Sequence, residues 1–141
     1  AEMSGLGALV ATIKFYKEHN VIEHLWNYGS KLITGLNTIA VELGIQEYFG
    51  AGGIECNPYY TTKDNNKEVS MAFRTLFSQE MIKNGVLMPV LVFSYAHGQK
   101  ELDKTFDAAR KSLQVYKKAL EEGIDKYLIG DIVKPVFRKY N

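Results

Sequence analysis

The chain has 141 residues, 46% of them hydrophobic, enough for one domain that buries roughly 65 to 70% of its unfolded surface. Seventeen basic and sixteen acidic residues leave a net charge of +1, which lacks the strongly basic footprint of a nucleic-acid binder and implies no polyanionic partner. The single cysteine, Cys56, cannot close an internal disulfide, and neither a signal peptide nor an apolar run of membrane-spanning length is visible, so a soluble, cytoplasmic protein with no membrane partner is expected.

Met3 to Glu18 reads as a helix with Met3, Leu6, Val10 and Ile13 on one stripe and small residues, Gly5, Gly7, Ala8 and Ala11 among them, over much of the rest. Its two glycines each cost an isolated helix about 1 kcal/mol relative to alanine, so packing must hold it. Two readings follow: an ordinary buried helix, or a connector packed against something on both sides, part of which lies outside this chain. Asn20 is placed to N-cap a second helix that runs through Leu43, with Glu23 at the capping-box position and a core-facing stripe of Val21, Leu25, Tyr28, Leu32, Leu36, Ile39 and Leu43. Gly44 ends it, and Trp26 packs at its edge.

Tyr48 to Gly53 is rich in glycine and could suggest a phosphate loop, but no Lys-Ser or Lys-Thr pair follows to open a helix. It is read instead as a bend into a β-prone run, Ile54 to Thr62, in which Pro58 argues for an edge strand or a bulge. Lys63 to Lys67 is a polar turn, and Glu68 to Asn84 a third helix with Val69, Ala72, Phe73, Leu76 and Phe77 turned inward and Gly85 as its stop. Val86 to Tyr95, nearly continuous in apolar residues, suits a strand covered on both faces. Strand, helix, strand with short connections predicts a right-handed crossover that lays the third helix on a sheet.

After the turn Ala96-His97-Gly98 comes the best-patterned helix of the chain. Leu102, Phe106, Ala109, Leu113, Tyr116 and Leu120 recur at spacings of four and three, an apolar stripe expected to lie on a sheet. Gly123 stops it, and Lys117 and Lys118 sit where cations favour the negative end of the helix dipole. Ile124 to Asn141, with Tyr127, Leu128, Val136 and Phe137, has no clear period and reads as a tail wrapped back over the body.

Few residues suggest chemistry. His19 and His24 are five apart, a spacing that aligns no pair of metal ligands on a helix, and no metal site is expected. His97 reads as a turn histidine bonding local backbone, Cys56 as a small apolar filler, and the nine tyrosines and seven phenylalanines as core and interface packing. Taken alone, the residues describe a soluble α/β sandwich domain with no visible catalytic apparatus.

Five stretches in order carry a resemblance. They are Glu2 to Ile13 with Leu6, Ala8 and Ala11-Thr12-Ile13; Val21-Ile22-Glu23-His24-Leu25-Trp26 with Gly29, Leu32 and Gly35-Leu36; Leu76-Phe77 with Gln79-Glu80-Met81-Ile82 and Gly85-Val86-Leu87; Ser94-Tyr95-Ala96-His97 with Leu102-Asp103-Lys104-Thr105; and Lys134-Pro135-Val136-Phe137-Arg138. This series resembles the C-terminal part of class-III pyridoxal-phosphate aminotransferases, especially the glutamate-1-semialdehyde aminomutase-like branch. It departs from that branch at Met88 to Phe93, where an acidic pocket residue is expected, and at Gly98, where a threonine cap is usual.

The resemblance implies a fragment of a dimeric, cytoplasmic enzyme. Residues 1–20 form a connector helix to a missing N-terminal large domain. Residues 21–141 form an α+β small domain, an α/β sandwich with a small, mostly antiparallel sheet and long helices on one face. It also implies that the Schiff-base lysine and the phosphate-anchoring threonine lie upstream of residue 1. No catalytic or cofactor-binding residue is then expected in this chain, which alone should be inactive and hold no pyridoxal phosphate. Met88, Pro89 and Val90 become the candidate rim of the substrate pocket. The competing expectation is a free-standing, non-catalytic binding module of the same fold.

Overall fold

A computed structural model describes residues 2–134. In chain order it contains α1 (Met3–Glu18), α2 (Val21–Glu42), β1 (Phe49–Ile54), β2 (Asn57–Thr62), α3 (Met71–Lys83), α4 (Gln99–Glu122) and a 3-10 turn, Ile124–Lys126. The expected α+β class stands: one antiparallel hairpin with long helices packed against it. None of the helices among the described residues is long and apolar enough to cross a membrane.

The core forms where α2, α3, α4 and the hairpin meet, and Leu36, Leu76, Phe77, Met81, Leu113 and Tyr116 are fully buried in it. The α4 stripe packs as its spacing predicts, with Leu102, Ala109, Leu113 and Tyr116 buried and Phe106 and Leu120 half-buried. It lies between α2 and α3 and not on a sheet, because the hairpin is covered by those two helices instead. The α4 entry is closed by Glu101, whose Oε2 accepts the Gly98 N–H at 2.9 Å. That bond, with the backbone N–H of Glu101 itself, holds the carboxyl below its ordinary range. At the far end of α2, Gly44 takes a φ of +72°, and Lys117 Nζ donates to Leu43 O at 3.0 Å, a cation on the negative end of the dipole. Asn20 precedes α2 but makes no side-chain capping bond.

The glycine-rich run is itself a strand, which corrects the expected bend. β1 pairs with β2 from Phe49↔Thr62 to Ile54↔Asn57 around the two-residue turn Glu55-Cys56, so Cys56 is exposed in a turn and does not fill the core. The tip of this hairpin packs so closely on α2 that a Cβ at Gly29 would lie 1.7 Å from Glu55 O. Lys63 N donates to Tyr48 O at 2.8 Å, and alternation from that pair turns the polar groups of Ala51, Tyr60 and Thr62 out of the hairpin. Both edges are then closed by other groups. Asn37 bonds the N–H and C=O of Ala51 at 2.8 and 2.9 Å, while Arg74 and Ser70 donate to Tyr60 O and Thr62 O and Pro58 has no N–H to offer.

With those edges filled, no third strand forms among the described residues. Residues 86–98 have no regular structure, and the predicted strand and its crossover are absent. Met88 and Leu91 are buried anchors, but Leu87, Val90 and Val92 are 79%, 54% and 76% exposed, so the segment is covered on one side only. The third helix also starts later than predicted. Val69 pairs with Lys63 in an isolated bridge and is exposed, and Ser70 accepts the Phe73 N–H to cap a helix that begins at Met71.

Tyr116 ties α4 to the hairpin and the turn after it: its hydroxyl donates toward Lys63 O at 2.6 Å, lies 3.1 Å from Tyr48 O and accepts the Lys63 N–H at 2.9 Å. Burial pushes this phenol well above its ordinary range. The tail lies over α3 as expected, through Gln79 bonds to Tyr127 O and Ile129 N–H and a Thr75 bond to Val133 N–H. Val136 and Phe137 of the expected tail, and the motif Pro135 to Arg138, fall outside the described residues.

α1 has the predicted bounds. Every one of its residues is exposed, and its stripe of Met3, Leu6, Val10 and Ile13 covers none of the domain's own core. In this chain α1 is not a buried helix. Its aromatic contacts are made at the C-terminal end, where Phe15 stacks on His19 and both meet Tyr95 edge-on.

Candidate functional site

The three candidate rim residues are consecutive but play different parts. Met88 is buried under the segment, Pro89 presents its carbonyl to the protein, and Val90 turns outward. Val90, Leu91 and Val92 form one wall of a cavity of about 280 Å³ whose other walls are Asn57 to Tyr60 of β2 and Arg74 of α3.

What holds this segment in place are two side chains, Tyr60 and Arg74, that no sequence motif singles out. Tyr60 OH donates toward Pro89 O at 3.1 Å, and Arg74 Nη2 donates to the same oxygen at 2.8 Å. The guanidinium carbon sits 4.4 Å from the centre of the Tyr60 ring, and Nη1 reaches Tyr60 O at 3.4 Å. A segment without ladder bonds is thereby fixed by side chains of the two regular elements beside it. One signal could have exposed Arg74. It stands in the first turns of α3, where a cation opposes the positive end of the dipole, so its charge needs another use.

A second cluster joins α1, α2 and the loop before α4. Tyr95 packs against His24 with centroids 5.0 Å apart, and Tyr28 packs against Phe93 at 5.0 Å and His97 at 6.1 Å. His97 is the turn histidine expected: its Nδ1 lies 3.1 Å from the Ser94 N–H and 3.0 Å from Ser94 Oγ. His19 and His24 are both in this cluster yet act as aromatic surfaces, and His24 Nε2 is buried without a hydrogen-bond partner among the described residues. Burial, with the Glu101 charge nearby, raises the Tyr28 phenol.

The Val90 cavity does not fit pyridoxal phosphate as a complete site. It is lined by no lysine, and Arg74 is the one cation in its lining. A lysine to carry the cofactor is missing from that lining.

No family model matches the chain. Among curated proteins it is similar to the glutamate-1-semialdehyde 2,1-aminomutase of Archaeoglobus fulgidus, 27% identical over 117 residues, 77% of this chain and 28% of that protein. Among solved structures it is similar to the FumI protein of Sphingopyxis sp. MTA144, described as the PLP internal aldimine form. That match has a TM-score of 0.66 and 19% identity over 80% of this chain and 27% of that one. The chain thus spans little more than a quarter of the length of either protein. The resemblance carried by the sequence motifs is borne out, in sequence by the first and in fold by the second.

Proposed function

We propose that the chain is the C-terminal small domain of a pyridoxal-phosphate aminomutase or aminotransferase, with residues 1–20 as the connector and residues 21–141 as the domain proper. The observation that carries this reading is that a sequence match and a fold match each cover only about a quarter of a longer protein. The free-standing α1, with apolar residues exposed along its length, supports it, since a connector needs a neighbour on that side. In this reading the large domain and its cofactor supply the chemistry, and the enzyme works in the cytoplasm as a homodimer. This chain contributes a wall: Val90 faces the substrate, while Tyr60 and Arg74 hold Pro89 and so fix the rim.

Borohydride reduction after adding pyridoxal phosphate tests the assignment. The chain should gain no stoichiometric pyridoxyl group on any one lysine and should not transaminate, whereas the longer protein should be labelled on a single lysine upstream of residue 1. A stoichiometric adduct on one lysine of this chain overturns the proposal. The closed core of α2, α3, α4 and the hairpin favours one other reading, a binding module that folds and acts alone. An unlabelled full gene product whose reading frame starts just before residue 1 would establish it.

A further inference from the structure

We infer that the cavity between β2, Arg74 and the Val90 to Val92 segment is a binding site for a small carboxylate with a short apolar chain. The site belongs wholly to this chain and does not require the enzymatic reading above. Its lining is Asn57, Pro58, Tyr59 and Tyr60 on one side, Val90, Leu91 and Val92 on the other, and Arg74 between them, with no acidic residue. The only ionised group in the lining is therefore a cation.

Arg74 is held in place yet not neutralised. Its two hydrogen bonds run to uncharged carbonyls, Pro89 O at 2.8 Å and Tyr60 O at 3.4 Å, and no carboxylate among the described residues lies within 4.0 Å of it. A guanidinium has five N–H donors, so about three remain. The Tyr60 ring, 4.4 Å from the guanidinium carbon, and the two carbonyls restrain the fork, which reduces the entropy lost when a ligand binds. A planar, pre-positioned guanidinium matches a carboxylate in two-point geometry, and the positive end of α3 adds to the attraction. The apolar walls set the other half of the ligand. A volume of about 280 Å³ equals about nine waters at about 30 Å³ each, room for an acid of several carbons and too little for a nucleotide or an extended peptide.

The test is an NMR titration of the chain, with methyl and amide signals followed, using hexanoate as probe and hexanamide and hexylamine as its neutral and cationic counterparts. Hexanoate should shift Val90, Leu91, Val92 and Tyr59 with half-saturation at about 1 to 10 mM, as expected for so small a ligand. Hexanamide should bind at least about tenfold more weakly, because it lacks the charge-assisted pair, and hexylamine should not bind. Arg74→Lys, which keeps the charge and loses the fork, should weaken hexanoate about tenfold. Equal affinity for hexanoate and hexanamide, shifts centred outside this lining, or no saturation by about 50 mM overturns the inference. Because Arg74 also holds Pro89, the probe comparison on the unsubstituted chain decides the matter if the variant loosens the segment.

Discussion

α4 and α1 are both long helices with an apolar stripe, yet one packs its stripe into the core and the other touches almost nothing. In α4 the stripe is built of Leu102, Ala109, Leu113 and Tyr116, set against charged residues on the opposite side, and α2 and α3 close over it. In α1 the stripe of Met3, Leu6, Val10 and Ile13 is backed by glycines and alanines, so apolar surface runs nearly all the way round and all of it is exposed. An amphipathic helix finds its place within its own domain, and a helix apolar on all sides needs neighbours on all sides. The contrast between a self-sufficient body and an unpartnered helix is what the proposed connector role explains.

The largest expected effect separates the two helices by stability. Leu113→Ala should cost about 2 to 5 kcal/mol, the loss of burial plus a cavity. Lys111→Ala on the exposed side of α4, and Val10→Ala on α1, should each stay within about 0.5 kcal/mol in this chain. Urea midpoints measure all three, and equal losses for Leu113→Ala and Val10→Ala would break the contrast.

A smaller effect sharpens it, because the same substitution should act in opposite directions. Gly29→Ala puts a Cβ 1.7 Å from Glu55 O, so the hairpin must move off α2 at a cost of about 1 to 3 kcal/mol. Gly7→Ala meets nothing within 4 Å and should raise the helicity of α1, favouring that helix by up to about 1 kcal/mol without lowering the midpoint of the body. Far-ultraviolet dichroism and urea midpoints read the two outcomes. A destabilising Gly7→Ala would mean that α1 packs more closely than the structure shows.

Much of this fold was legible in the sequence where period and punctuation agree. The bounds of α1, the stripes of α2 and α4, and the stops at Gly44 and Gly123 all follow from helical spacing and glycine. The sheet was not legible. β1 hides in a glycine-rich run because its pairing is supported from outside, by Asn37 on Ala51 and by the Tyr59 ring over Gly53. Val86 to Tyr95 looks like a strand by composition, but a strand needs a free edge, and Pro58, Arg74 and Ser70 had already closed it. At the candidate site, Met88, Pro89 and Val90 were named from the family resemblance. Arg74 and Tyr60 were not, since their partners lie 14 to 29 residues away and only folding brings them together.

Native-state hydrogen exchange tests the central claim most directly. In a monomeric sample, amides from Met3 to Val10 should exchange far faster than those from Leu102 to Leu113, and should gain protection when an upstream domain is joined to the chain. Protection of Met3 to Val10 equal to that of Leu102 to Leu113 in a demonstrably monomeric sample would contradict the account, and would make α1 an integral part of a complete domain.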